Sequence, residues 1–326
     1  MRRLKILTWH THGAYLHYLT QAPHDFYVLS KPDRPPGYGG RCGHIPWGDN
    51  VHDLPVEQAK QQPLDCIVFQ DDAQYLSDQH ELLTPAQRRL PKIYLEHDPP
   101  RGRPVDERHI VQARDVLLVH CTAFNRLMWD SGETPTRVID HGVIDPALRE
   151  PSARYSGELQ RGLVVINNIA SRGRRLGFDV FQQARGEVAL DIVGMGAEAA
   201  GGLGEVLHAE LPAFAARYRF FFNPIRYTSM GLAVIESMMV GLPIVALATT
   251  EMVTVIRDGE NGFIDTDPRR LVERMQILLR DRSLAAQLGR EARRTALQRF
   301  NIERFIADWN DAFAQVTGLW RERSAA

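Results

Sequence analysis

Short, continuous apolar runs alternate with helix-length amphipathic stretches along the chain, and the alternation stops once and then starts again. In the first half the strand-like runs are residues 5–9, 26–29, 66–70, 93–96, 116–119 and 137–139. Several are apolar at successive rather than alternate positions, the pattern of strands buried on both faces of a parallel sheet. A polar stretch with two prolines, HGVIDPALREPSARYSGELQRG, then reads as an interdomain linker. Beyond it, strands are expected at 163–167, 188–193, 218–222 and 243–247, with helices near 176–184, 197–210, 231–240 and 251–257. Strand–helix alternation means βαβ units. Two such series in tandem predict an α/β chain of two Rossmann-like parallel-sheet domains facing a cleft. The tail is helical: residues 268–280 start at Pro268 behind an Asp267 cap, and 284–298 and 302–317 follow.

A chain of 326 residues suits two domains, and 44% hydrophobic against 24% charged residues lets each bury a core. The formal net charge of −1 argues against nucleic acid as a partner. Cys42, Cys66 and Cys121 are odd in number, widely spaced and form no CxxC, which fits a reduced, cytoplasmic protein. The start, MRRLKILTWHTHG, is no signal peptide, and no stretch has the roughly 20 apolar residues a membrane span needs. From Arg88 to Arg114 seven basic residues stand against four acidic ones. A solvated face, an anionic acceptor or peripheral contact with the inner face of a membrane all fit. Of twelve histidines, eleven precede residue 142 and only His208 follows.

The most informative segment is FFFNPIRYTSMGLAVIESMMVGLPIVA, residues 220–246. A buried strand ends at Asn223-Pro224, and a tight loop leads to a helix beginning near Gly231. Helix N-termini present backbone N–H groups and a positive dipole end, which suits phosphate. Glu236, about a turn and a half into the helix, is placed to accept ribose hydroxyls. An ordinary strand–helix–strand unit with a surface glutamate fits the same pattern. In SRGRRLGFD, Arg172, Arg174 and Arg175 lie at a helix N-terminus, where guanidinium forks suit a diphosphate or simply face water. His97 follows a strand end, the sheet edge where open α/β proteins place ligands. It also reads as a capped loop histidine.

Segment 220–246 resembles the signature of retaining glycosyltransferases of the GT-B fold, family 4 (glycosyl transferases group 1). Pro224, Gly231, Leu232, Glu236, Met238, Gly241, Pro243, Val245 and Ala246 fall in register with that pattern. VIRDGENGFIDTD, LDIVGMGAE and RVIDHGVID resemble three further family motifs, so the likeness spans about residues 115–315. It implies an N-terminal acceptor-side domain, residues 1–145, on which a helix near 302–317 packs back. It also implies a C-terminal nucleotide-sugar-binding domain, residues 146–301. The activity implied is transfer of a sugar from a nucleotide-sugar donor to a glycan, lipid-linked or other acceptor, with retention, as in polysaccharide biosynthesis. No cofactor and no metal is implied.

The residues the resemblance assigns are Arg172 and Arg175 at the departing diphosphate and His97 toward the donor sugar. Gly13, Gly194, Thr228, Ser229, Met230, Gly231, Leu232 and Glu236 are assigned to donor binding. One position departs from the family. Its first glutamate, which contacts the donor sugar, is Thr228 here. A catalytically inactive nucleotide-sugar-binding partner subunit of the same fold is therefore the alternative. An NAD-dependent dehydrogenase fits less well, because no GxGxxG follows the first strand. His10 and His12 are spaced like a metal pair, but no neighbouring cysteine or carboxylate in the sequence completes a site. Asp265-Thr266-Asp267 spells DxD and reads as the turn and cap before the Pro268 helix.

Overall fold

The computed structural model describes residues 2–325. The chain divides into two compact units. One comprises the residues up to Gly142 and those from Ile302 onward; the other is Val143–Asn301.

The first unit is built on a seven-stranded sheet in the order β3-β2-β1-β4-β5-β6-β7. Its strands are β1 (Lys5–Thr8), β2 (Asp25–Ser30), β3 (Val51–Pro55), β4 (Cys66–Phe69), β5 (Lys92–Glu96), β6 (Val116–His120) and β7 (Thr136–Val138). Every neighbouring pair is parallel. Ile6, Leu7, Ile67, Val68, Leu118 and Val119 are completely buried, as successive apolar residues in a two-sided sheet must be. Helices α1 (Gly13–Leu19), α2 (Gln79–Leu82) and α3 (Ala123–Met128) belong to this unit. Strand β3 escaped the sequence reading because VHDLP is short, carries His52 and Asp53 at its centre and ends in a proline. As an edge strand it buries only Val51 and Leu54.

The second unit has five parallel strands in the order β12-β11-β10-β8-β9. These are β8 (Leu159–Val165), β9 (Leu190–Val193), β10 (Tyr218–Asn223), β11 (Ile244–Leu247) and β12 (Gly262–Asp265). Its helices are α4 (Ile169–Arg172), α5 (Phe178–Arg185), α6 (Leu211–Ala215), α7 (Leu232–Val240), α8 (Met252–Val255), α9 (Pro268–Arg280) and α10 (Arg282–Arg299). One core joins Phe181, Leu190, Phe220, Phe222, Leu271 and Met275.

The helix expected at 197–210 is not there. Its place is taken by a 3-10 turn over Ala197–Ala200, an irregular run to His208 and the short α6. The run AAGGLGE carries three glycines, and helix propensity falls by about 1 kcal/mol at each. The expected linker is partly structured too, since β8 begins at Leu159 and Asp145 pairs with Arg293 at 2.6 Å. Strand β12 was missed because it is short and opens on a glycine. Asp265 and Asp267 do form a turn and cap: Asp265 Oδ1 accepts from the Asp267 amide and Asp267 Oδ1 from that of Arg269.

The last helix, α11 (Ile302–Ala325), belongs to the first unit. Phe305, Trp309, Ala312 and Phe313 form its buried stripe. Arg304 donates to the Asp140 and His141 carbonyls.

Candidate functional site

In an open parallel sheet, ligands settle where the strand order reverses, outside the carboxyl ends of the strands. In the second unit β8 leads to β9 on one side, and the chain then crosses over to β10 on the other. The reversal therefore lies between β8 and β10. The loop after β8 carries Arg172, Arg174 and Arg175; the loop after β10 carries Thr228 to Gly231.

These loops are fastened to each other. The Arg226 and Tyr227 amides donate to the Arg175 carbonyl at 3.1 and 3.3 Å. Arg226 reaches both oxygens of Asp179, at 2.5 and 2.8 Å, and Arg174 joins the same carboxylate at 2.6 Å. The Arg226 hydrogen bonds hold the Asp179 carboxyl below its ordinary pKa despite some burial. Gly177 makes the approach possible. It has φ +77, and a Cβ there would lie 1.9 Å from the Pro224 carbonyl oxygen. The Thr249 hydroxyl ties down the other side by donating to the Ile225 carbonyl.

Gly194 ends β9 beside this edge with φ +133, and its missing Cβ would meet Asn167 Oδ1 at 2.7 Å. The Asn167 side chain accepts from the Met195 amide at 2.9 Å, and the Asn168 amide donates to the Met195 carbonyl at 2.7 Å. Three loops thus meet at one sheet edge.

Helix α7 starts at an N-cap, Gly231, that supplies no side-chain cap. Its φ is −71 and a Cβ there would meet nothing within 4 Å, so neither backbone strain nor packing asks for glycine. Ser229 is buried, with no hydrogen-bond partner for its hydroxyl in the structure. Met230 is buried, and Thr228 and Leu232 are half-buried. Glu236, on the same helix, accepts at Oε1 from His208 Nε2 at 3.0 Å. Burial alone would lower the His208 pKa, but the Glu236 hydrogen bond and charge outweigh it and raise it.

The arginine loop differs from the sequence reading in one respect. Arg172 closes the one-turn α4, while Arg174 and Arg175 sit in a 3-10 turn ahead of α5, whose N-cap is Gly177. The three are therefore not the first turn of one helix. The sequence reading overlooked Asn167, Asn168, Asp179, Arg226 and His208. Only His208 carried a signal, as the single histidine after residue 142.

The first unit reverses order between β1 and β4. Gln70, just past β4, donates from Nε2 to the Thr8 hydroxyl and the Trp9 carbonyl, both at 2.9 Å. That fixes its amide, so Oε1 must accept from His97 Nε2 at 3.0 Å. His97 Nδ1 faces the Cys121 thiol at 3.8 Å, and the ring packs edge-on against His12 and Tyr15. Burial, then the neighbouring His12 and His141, push the His97 pKa well below its usual value. The imidazole is neutral, with its proton on Nε2. Gly13 opens α1 with its Cα beside the His10 and Ile45 side chains.

His97 also lines a pocket of about 420 Å³ with Thr11, His12, Asp98, Arg101 and Glu107. Cys42 comes within 3.5 Å of His10 Nδ1, a neighbour the sequence did not reveal. Among the described residues no group of three or more His, Cys, Asp or Glu is placed to hold a metal ion. Nor is any described helix long and apolar enough to cross a membrane.

Residues 177–281 match the family model described as glycosyl transferases group 1. No curated protein matches the chain. Among solved structures, the sucrose-phosphate synthase of Thermosynechococcus elongatus is similar over 98% of this chain and 100% of its own, with a TM-score of 0.68 and 17% identity. The HepE protein of Anabaena in complex with UDP-glucose is similar over 96% and 100%, with a TM-score of 0.66 and 16% identity. TarM of S. aureus, in complex with fondaparinux, α-GlcNAc-glycerol and UDP, is similar over 79% of this chain and 58% of its own, with a TM-score of 0.57 and 14% identity. The fold is that of the GT-B glycosyltransferases, two Rossmann-like parallel-sheet domains.

Proposed function

We propose that this chain is a glycosyltransferase that takes its sugar from a nucleoside-diphosphate donor seated at the β8/β10 edge of the second unit. The observation that carries this reading is the meeting of the arginine loop, the open space over Gly231 and Glu236 at one order reversal, within the segment that matches the family model. Arg172 and Arg175, with the N-terminus of α7, neutralise the diphosphate as it leaves. Glu236 accepts the ribose hydroxyls, and Thr228 and the buried Ser229 hydroxyl meet the sugar. UDP is the first nucleotide to test, since HepE was solved with UDP and UDP-glucose.

The first unit holds a glycan or lipid-linked acceptor, and the His97 assigned toward the donor sugar lines a pocket at its sheet edge. A neutral His97 whose Nε2 proton goes to Gln70 is suited to shaping that pocket rather than to moving a proton. Guanidinium charge supplies what a metal ion would otherwise give the leaving group, so the reaction runs without metal. Retention follows if a donor phosphate oxygen takes the acceptor proton, which needs no protein base.

Thr228 favours a second reading, a nucleotide-sugar-binding subunit without catalysis. It is shorter and neutral where a carboxylate would accept sugar hydroxyls, and it suits a donor bearing a bulkier or acidic substituent. One experiment covers both: turnover of a panel of nucleotide sugars by wild type and Thr228→Glu, with and without chelator. The expected result is chelator-resistant turnover of a modified donor, reduced in Thr228→Glu. Donor binding without turnover by either protein establishes the second reading. Activity abolished by chelator and restored by Mg²⁺ or Mn²⁺ overturns the metal-independent one.

A further inference from the structure

The single histidine of the second unit is bonded to the side chain assigned to the ribose. His208 sits in the turn entering α6, which packs beside α7. Its Nε2–H lies 3.0 Å from Glu236 Oε1, with side-chain exposures of 26% and 13%. The run that delivers it, from Gly201 onward, is the stretch that fails to form the expected helix. An extended segment reaches the flank of α7, where a continuous helix would have carried the chain elsewhere.

A carboxylate largely removed from water needs a donor to hold it, or it turns to whatever lies nearest. Each carboxylate oxygen has two acceptor sites, so an oxygen that accepts from His208 still accepts from a hydroxyl. His208 therefore does not compete with a ribose for Glu236; it sets the angle at which the carboxylate waits.

We infer that His208 is a positioning residue for nucleotide recognition: by donating to Glu236 Oε1 it presents the carboxylate to the vicinal hydroxyls of the donor ribose. This rests on the assignment of Glu236 to the ribose. The predicted consequence is selectivity for ribose over a sugar lacking those hydroxyls, set jointly by the two residues.

The test is calorimetric titration of UDP, GDP and ADP and their 2′,3′-dideoxy counterparts into wild type, Glu236→Gln, His208→Leu, His208→Gln and the double variant His208→Leu/Glu236→Gln. Glutamine places an N–H donor close to where imidazole Nε2 stands, whereas leucine keeps bulk and removes the donor. For the nucleotide that binds best, His208→Leu should lose about tenfold in affinity, the scale of one well-made hydrogen bond to a charged group. It should lose little for the dideoxy ligand. His208→Gln should recover most of the loss, and the double variant should be no weaker than Glu236→Gln alone. With donor sugar, the KM of His208→Leu should rise more than its kcat falls.

The outcomes separate. If no nucleotide binds wild type, the proposed function fails. If Glu236→Gln keeps the ribose preference, the assignment of Glu236 fails. If Glu236→Gln loses that preference while His208→Leu keeps it, or if His208→Gln is as weak as His208→Leu, the positioning role fails.

Discussion

The two units use one topological device and fill it with opposite chemistry. Each sheet reverses its strand order once, between β1 and β4 in the first unit and between β8 and β10 in the second. At the first reversal the polar groups answer one another. Gln70 is spent on Thr8, Trp9 and His97, and His97 on Gln70 and Cys121. Burial holds His97 neutral and raises the pKa of the Tyr15 phenol and the Cys121 thiol, so the cluster carries no charge. At the second reversal the groups are ionised. Guanidinium groups line the loop, Asp179 is held below the usual carboxylate range and His208 above the usual imidazole one. Topology supplies the place for a ligand; whether the polar groups are satisfied from within decides what sort of ligand the place suits.

Two glycines at the second reversal sharpen this difference, since one serves the fold and the other the space outside it. Gly177→Ala should have the largest effect. It imposes left-handed backbone on alanine, about 1–3 kcal/mol, and drives a methyl into the Pro224 carbonyl, about 1–3 kcal/mol more. Thermal unfolding should show a drop of several degrees, with nucleotide binding lost as the two loops part. An unshifted melting temperature would mean that the close approach at Pro224 is not needed. Gly231→Thr should act in the reverse sense. Threonine is an acceptable N-cap and its Cβ meets open space, so the melting temperature should move by no more than about 2 °C. Nucleotide affinity measured by calorimetry should fall about tenfold, because the added bulk stands where the phosphates would lie. Undiminished affinity would place the phosphates elsewhere.

The sequence showed why each unit has the fold it has, and less of how the loops at the candidate site of the second are joined. Uninterrupted apolar runs such as Cys66-Ile67-Val68-Phe69 and Phe220-Phe221-Phe222 read as two-sided parallel strands, and they are. Edge strands β3 and β12 were hidden, because half-exposed strands tolerate polar residues and glycine. The placement of Gly231 at the start of a helix that carries Glu236 was legible, since their spacing is local. Arg226 and Asp179 were not: they are 47 residues apart and meet only through the crossover that brings β10 beside β8. His208 lay inside a run misread as helix, and its bond to Glu236 spans 28 residues. His97 was found by its place after β5, but its neutrality depends on Gln70 and Cys121 from other strands.

The smallest expected effect tests the charge contrast itself. His120 ends β6 completely buried, and neither ring nitrogen has a hydrogen-bond partner. Burial first, then the nearby His109 and Arg126, lower its pKa to about 3. In the unfolded chain a histidine titrates near 6.5, so on acidification the unfolded state binds a proton that the folded state refuses. Stability from this group is full above about pH 6.5 and declines as the pH falls toward 3. For His208 the sign is reversed: its folded pKa is raised, so its contribution is full below the unfolded value and declines as the pH rises through the folded one. Replacing His120 by leucine removes the acid penalty. His120→Leu should therefore gain about 0.7 kcal/mol over wild type between pH 7 and pH 6, as urea unfolding at the two values would show. The imidazole resonances of His120 should stay unshifted down to pH 5 while those of His208 move. If wild type and His120→Leu lose stability in parallel, or if His120 titrates like a surface histidine, the first unit is not the uncharged partner in this comparison, and the division of labour between the two sheet edges must rest on shape alone.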